Sequence, residues 1–287
     1  MSDINVSVII PSRNELYLNK TVDDILNKST SSIEVIIILD GYWPAQMPED
    51  DKRVIIIHRG ISHGMRQAIN FGVEIARGKY VLKCDAHCMF DEGFDTKLSA
   101  TCDSDWVIVP RRKRLDTERW CIQDVGKPDV DYMYLSYPYD LDKQGNQVGL
   151  HGINWDELNK REDLKDIKID KLMTSQGSCW FMERNYYRYL ELLDHEHYGS
   201  FWSEFQEIGL KCWLSGGQVL VNKNTWYAHW HKKTRGYQLL DSSSDTEKYV
   251  MKWMKFKEAW NKQTLPMEWI IHLFNPPGWP HDYTSDC

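Results

Sequence analysis

Four short segments dominated by β-branched and other apolar residues open this chain: Val6 to Ile10, Glu34 to Leu39, Val54 to Ile57 and Tyr80 to Leu82. Segments that are apolar without polar alternation belong to strands covered on both faces, and in soluble proteins that means a parallel sheet held between two layers of helix. The intervals supply the helices. Leu16 to Leu26 and Met65 to Ala76 place apolar residues at helical spacing, the second closing on Gly78, while Pro11 is read as the stop of the first strand. Strand, helix, strand, short connection, strand, helix, strand is the right-handed crossover pattern of an α/β fold. A fifth strand is expected at Trp106 to Pro110.

Order weakens after Arg111. From there to about Asp170, turn-forming and charged residues dominate around Tyr132, Tyr134, Tyr137 and Tyr139, and a long excursion with a small two-stranded ribbon is expected. Regular structure resumes at Ser178 to Glu183, followed by helices at Arg184 to Leu193 and near Trp202 to Trp213, a stop at Gly216-Gly217 and a strand at Gln218 to Val221. Beyond Asp241, Ser242-Ser243-Ser244 suits a helix N-cap region, with an amphipathic helix to about Trp260 and an irregular end at Pro276-Pro277-Gly278-Trp279-Pro280. The 287 residues suffice for a substantial core. They read as one α/β domain, residues 1–240, in two halves, 1–110 and 111–240, with a helical and irregular extension at 241–287.

The fourth strand runs out into Asp85-Ala86-His87. Open α/β sheets bind ligands at the carboxyl ends of their strands, and an extended chain would send the first and third of these side chains the same way. A carboxylate oxygen and an imidazole nitrogen so placed suit a borderline divalent ion such as manganese, with a diphosphate completing its shell. Composition narrows the partners. A formal net charge of −7 argues against binding nucleic acid by phosphate neutralisation across the surface, leaving Arg111-Arg112-Lys113-Arg114 as a local basic patch. Seven scattered cysteines in a chain too large to need a disulfide framework fit a reducing compartment, and Cys84 with Cys88 has no second pair to complete a zinc site. No window approaches the roughly 20 apolar residues of a membrane span, and no signal-like run opens the chain. The expectation is a cytoplasmic protein with no transmembrane segment.

Val-Ser-Val-Ile-Ile-Pro-Ser-Arg-Asn-Glu at the start, Ile-Leu-Asp-Gly after the second strand and the stretch from Arg59 to His87 resemble the nucleotide-binding half of family two glycosyltransferases with the GT-A fold. Asp85-Ala86-His87-Cys88, Trp213-Leu214-Ser215-Gly216-Gly217 and Tyr227-Ala228-His229 resemble motifs of the polypeptide N-acetylgalactosaminyltransferases, which carry Asp-x-His-Cys, Trp-Gln-Cys-Gly-Gly and Val-Gly-His. The resemblance covers residues 4–90 and 175–235. It implies a mainly parallel central sheet with helices on both faces, a nucleotide-binding half at 1–110, an acceptor half at 111–240, a UDP-sugar donor and a manganese or magnesium ion.

Carried over by position, the resemblance sets Pro11, Arg13, Asn14 and Glu15 beside the nucleoside, and has Asp40 accept from the uracil imide or the ribose. Arg66 would face the donor's phosphates or sugar, where an arginine fork suits oxyanions. Ala86 and Trp202 would border the donor, and Lys233, Arg235 and Tyr237 stand in a segment similar to the mobile loop that closes over it. His229 would join Asp85 and His87 as the third metal ligand, with His231 the alternative at the same spacing. Glu204 falls where these relatives carry the glutamate of Trp-Gly-Gly-Glu-Asn, with Glu207 one helical turn further on. Glu204, Glu207 and Asp85 are therefore the catalytic candidates.

Two departures qualify the match. In inverting members a Glu-Asp pair at this place supplies the base, whereas Phe205 follows Glu204 here, which points to retention with the leaving phosphate receiving the acceptor's proton. Phe201-Trp202-Ser203 replaces Trp-Gly-Gly, so the sugar pocket should differ. Of thirteen tryptophans most are expected in the core, with one or two against ligand. The resulting expectation is metal-dependent transfer of a hexosyl or N-acetylhexosaminyl group from a UDP-sugar to a hydroxyl on a glycan, a protein, a small molecule or a hydroxylated DNA base. Nucleotidyl transfer, for which the loop after the first strand lacks glycines, and a donor-binding module without turnover are the competing readings.

Overall fold

The structure, a computed structural model, describes residues 3–232, 237–240, 249–254 and 259–284. The chain begins with β1 (Val6–Ser12), α1 (Leu18–Lys28), β2 (Ile33–Asp40), β3 (Val54–Arg59), α2 (Met65–Ile75), β4 (Tyr80–Cys84), β5 (Cys88–Phe90), α3 (Phe94–Ser99), β6 (Trp106–Asp116) and β7 (Cys121–Ile122). It continues through β8 (Met133–Leu135), β9 (Gly152–Asn154), α4 (Asp156–Asn159), β10 (Ile169–Lys171), β11 (Cys179–Glu183), α5 (Arg184–Tyr189), α6 (His195–Tyr198), α7 (Glu204–Leu214), β12 (Gln218–His229) and α8 (Met267–Phe274). The main sheet has the order β10-β12-β6-β11-β4-β1-β2-β3, with β5 added to β12 and β7 to β6. Its longest ladders, β6 with β12, β1 with β2 and β2 with β3, are parallel, and β11 inserts antiparallel between β4 and β6.

Alternate residues of β2 show why the apolar runs carry no polar alternation. Ile36 and Ile38 share a core with Ala68, Ile69 and Val73 of α2, while Val35, Ile37 and Leu39 share another with Leu18, Val22 and Ile25 of α1. Each face buries its side chains completely, at roughly 1.5 to 3 kcal/mol per aliphatic residue, so a slip of one residue has no polar face to expose. The excursion holds the expected ribbon, β8 paired antiparallel with β9.

Several strands outrun their sequence signals. β1 continues through Pro11, which pairs with Ile38 of β2 on one side, while the ladder to β4 on the other side ends at Ile9; the missing amide hydrogen therefore costs no bond there. β6 continues to Asp116 and β12 to His229 because each extends along the other, across a register shift between Asn222 and Trp226. The helix expected from Arg184 to Leu193 ends at Tyr189, with Glu191 and Leu193 at positive φ. Most of the helix expected from Asp241 to Trp260 lies outside the described residues; within it, Met251–Met254 forms a 3-10 turn. The described tail residues do not stand apart from the domain. Trp253, Met267, Ile270, Ile271 and Trp279 are buried in the same core as α2 and α7. No described helix is long and apolar enough to cross a membrane.

Candidate active site

Sheet pairing assembles the site. Asp85, Ala86 and His87 form a tight turn between β4 and β5 rather than the extended chain expected of them, and β5 pairs antiparallel with β12 so that His229 stands opposite Cys88. The carbonyl of His87 accepts from the Trp230 amide at 3.2 Å, and the Asp85 amide donates to the Ser178 carbonyl at 3.0 Å, which fixes both ends of the turn. Two histidines 142 residues apart thereby face each other, Nε2 to Nε2, at 3.1 Å.

Asp85 Oδ2 lies 3.2 Å from His229 Nε2 and 3.7 Å from His87 Nε2, and one ligand atom from each residue falls within 4.8 Å of the others. Separations of this size suit three ligands sharing one divalent ion with bonds of about 2.1 Å. The donor chemistry also fits. Burial is the main force lowering the His229 pKa, to about 3, and it outweighs the hydrogen bond to Asp85, so the imidazole is held in the neutral form from which a metal ligand is drawn. Burial of Asp85 works against its charge, but the Lys83 ammonium and the His229 hydrogen bond prevail and hold the carboxyl well below its ordinary range. His231 is exposed, with its ring edge-on to that of His229 at 4.9 Å, and does not join the cluster.

These residues open on a cleft of about 630 Å³ at the carboxyl ends of β1, β2 and β4. Pro11, Arg13, Glu15, Asp40, Ala86, Trp202, Glu204 and Tyr237 line it together with Asp85, His87 and His229. The Arg13 guanidinium lies 4.7 Å from the centre of the Tyr237 ring. Asn14, at φ 54, turns the loop but does not line the cleft. Both oxygens of Asp40 are engaged, one by Ser62 Oγ at 2.6 Å and the Gly64 amide at 2.9 Å, the other by the His63 amide at 2.9 Å. Lys233 and Arg235 lie outside the described residues.

Two candidates meet each other instead of the cleft. Arg66, expected at the donor, is completely buried, with Nη1 2.5 Å from Glu207 Oε2, Nε donating to the Trp202 carbonyl at 3.0 Å and the guanidinium 4.9 Å from the Tyr198 ring centre. Glu207, considered as a base, is equally buried; Lys211 takes its other oxygen at 2.7 Å. The Arg66 guanidinium thus ties α2 to Glu207 of α7 and to the carbonyl of Trp202, a residue lining the cleft. The basic run Arg111 to Arg114 is occupied too. Arg111 pairs with Asp131 at 2.6 Å, Lys113 with Asp129 at 3.0 Å, and Arg112 and Arg114 donate to Asn154 and the Pro128 carbonyl.

A family model described as glycosyl transferase family 2 matches residues 7–190. The chain belongs to that family. Among curated proteins it is 25% identical over 246 residues to a putative polypeptide N-acetylgalactosaminyltransferase 13 of Drosophila melanogaster, covering 76% of this chain and 40% of that protein. It is 33% identical over 188 residues to the glycosyltransferase GlyG of Streptococcus pneumoniae serotype 4, covering 63% of this chain and 52% of the relative. The chain thus spans about half the length of these relatives or less. Among solved structures, GalNAc-T7 with UDP, GalNAc and Mn2+ superposes with a TM-score of 0.64 at 18% identity, covering 89% of this chain and 50% of that one. The fold is the GT-A fold that the motifs implied.

Among the residues lining the cleft, the motifs did not reveal Lys83 or His151. Lys83 is completely buried, its Nζ donating to Asp85 Oδ1 at 2.8 Å and to the Gly177 carbonyl and lying 3.3 Å from Glu204 Oε1. The sequence signal existed, a lysine within Tyr-Val-Leu-Lys-Cys, but reading the strand as finished at Leu82 hid it. Burial disfavours its charge, and the two carboxylates more than restore it, so the pKa is raised. Glu204 also accepts from Trp180 Nε1 at 2.7 Å; burial raises its pKa in spite of that bond and of Lys83. His151, from the excursion, also lines the cleft. Its segment is held by Gln206 Nε2 donating to the Leu150 carbonyl at 3.0 Å and by the Phe205 ring against Gly152. Nothing in the local sequence marked it.

Proposed function

We propose that this family 2 protein is a metal-dependent glycosyltransferase that moves a hexosyl or N-acetylhexosaminyl group from a UDP-sugar to an acceptor hydroxyl with retention of configuration. The observation that carries this reading is the convergence of Asp85, His87 and His229 at the carboxyl edge of a GT-A sheet, beside a cleft able to hold a nucleotide sugar. The likeness to a structure that holds UDP, GalNAc and Mn2+ supports the choice of donor and ion.

Asp85, His87 and His229 would hold manganese, or magnesium, which when bound neutralises charge on a departing diphosphate. The protein's own groups do the rest. Pro11, Arg13 and Asp40, which line the cleft, would border the nucleoside, and Ala86 and Trp202, which also line it, would border the rest of the donor. Glu204, held between Lys83 and Trp180, presents a fixed carboxylate to the sugar's hydroxyls. Retention is favoured because Glu207 is withdrawn into its ion pairs and Phe205 has no proton acceptor, which leaves the departing phosphate to take the acceptor's proton. The internal pairing of Arg111 to Arg114 weighs against a hydroxylated DNA base as acceptor.

The test is release of UDP from a panel of UDP-sugars with manganese present. The wild-type protein should release UDP slowly by hydrolysis, and Asp85→Ala should abolish this; undiminished release by the variant would refute the metal assignment. Tight UDP binding without turnover on any donor or acceptor would favour a binding module.

A further inference from the structure

Glu15, expected beside the nucleoside, lines the cleft and also reaches the outer side of His87, one of the candidate metal ligands. Its Oε2 lies 3.1 Å from His87 Nδ1, and its Oε1 receives Lys232 Nζ at 2.5 Å. The Glu15 and His87 side chains are 8% and 7% exposed, so water competes little for either bond. Asn14 places Glu15 there by turning the loop after β1 in the left-handed region, which asparagine tolerates. Lys232 follows three residues after His229, so one carboxylate ties the β1 loop to the segment leaving the strand that carries another ligand.

The chemistry of the ring follows from that bond. A carboxylate can only accept, so this bond calls for a hydrogen on His87 Nδ1, and in the neutral ring that leaves the lone pair on Nε2, facing Asp85 and His229. Carboxylates placed this way orient a ligand imidazole and strengthen it as a donor. The second histidine has no such support: His229 Nδ1 is buried without a partner among the described residues. We propose that Glu15 is a positioning residue of the metal centre, fixing the tautomer and ring plane of His87, with Lys232 fixing Glu15 in turn. This rests on the metal reading above and adds a requirement to it.

Titration of the full chain with Mn2+ alone, following the free ion by electron paramagnetic resonance, tests it. Glu15→Ala should weaken Mn2+ binding by roughly 10- to 100-fold. Glu15→Gln, whose amide oxygen can still accept from Nδ1, should lose less, and it keeps the test alive should the alanine variant fail to fold. Any loss of UDP affinity measured with chelator present should be smaller than the loss of Mn2+ affinity in both. Wild-type Mn2+ affinity in both variants, or a loss confined to metal-free UDP binding, would overturn the inference and return Glu15 to the nucleoside. A wild-type protein that binds no Mn2+ would instead refute the metal reading itself.

Discussion

Lys83 is the residue least in keeping with its surroundings, a cation within an otherwise apolar buried strand. It is tolerated because Asp85, Glu204 and the Gly177 carbonyl surround its ammonium group, and an unpaired charge at the same depth would not survive. Lys83→Met should therefore leave two carboxylates facing each other and cost about 3 kcal/mol in denaturant unfolding. The double variant with Glu204→Gln should recover part of that loss. A cost equal to the sum of the single variants would show that the two residues are not coupled. Arg66 makes the same point: an arginine at a helix start reads as a donor contact, yet only its partners across the fold reveal that it ties α2 to α7.

Elements are held by polar ties at their edges. Glu34 of β2 accepts from Ser7 Oγ at 2.6 Å and from the Arg77 amide and Nε at 2.7 Å each, joining β1, β2 and the approach to β4. Burial works against its charge, but the Ser7 and Arg77 bonds prevail and hold the carboxyl below its ordinary 4.5. A carboxyl with a depressed folded pKa contributes stability that is present above its unfolded pKa and lost as pH falls through the folded one. Glu34→Gln should accordingly cost about 1 to 2 kcal/mol at neutral pH, and its deficit relative to wild type should shrink as pH drops below 4.5. A deficit independent of pH would show that the charge is irrelevant. At the other edge, Gly64 has φ +92, and a Cβ there would come 2.4 Å from Ser200 Cβ, so Gly64→Ala must move the loop before α7. Weakened UDP-sugar binding, greater than any loss of UDP binding, is the expected readout, because that loop lines the cleft where the donor's sugar is proposed to lie.

On the scale of the whole molecule the described tail residues pack into the core of the domain. Trp279 is buried, its indole nitrogen donating to the Leu135 carbonyl at 2.7 Å, and Trp253 donates to the Tyr198 hydroxyl at 2.5 Å beside Arg66. Trp279→Ala should cost about 3 to 5 kcal/mol in equilibrium unfolding, as for other large-to-small core changes. A cost near zero would mean that the tail packs without contributing. Largely apolar runs determined the α/β class, since a strand buried on both faces must be mostly apolar, and Asp85-Ala86-His87 marked the sheet edge where a metal ion is proposed to bind. The sequence alone could not place Glu15 against His87, seat Lys83 between two carboxylates, withdraw Arg66 and Glu207 into the core or bring His151 to the cleft. Those outcomes depend on which distant strands and helices pack together, and local residue patterns carry no record of contacts formed across the fold.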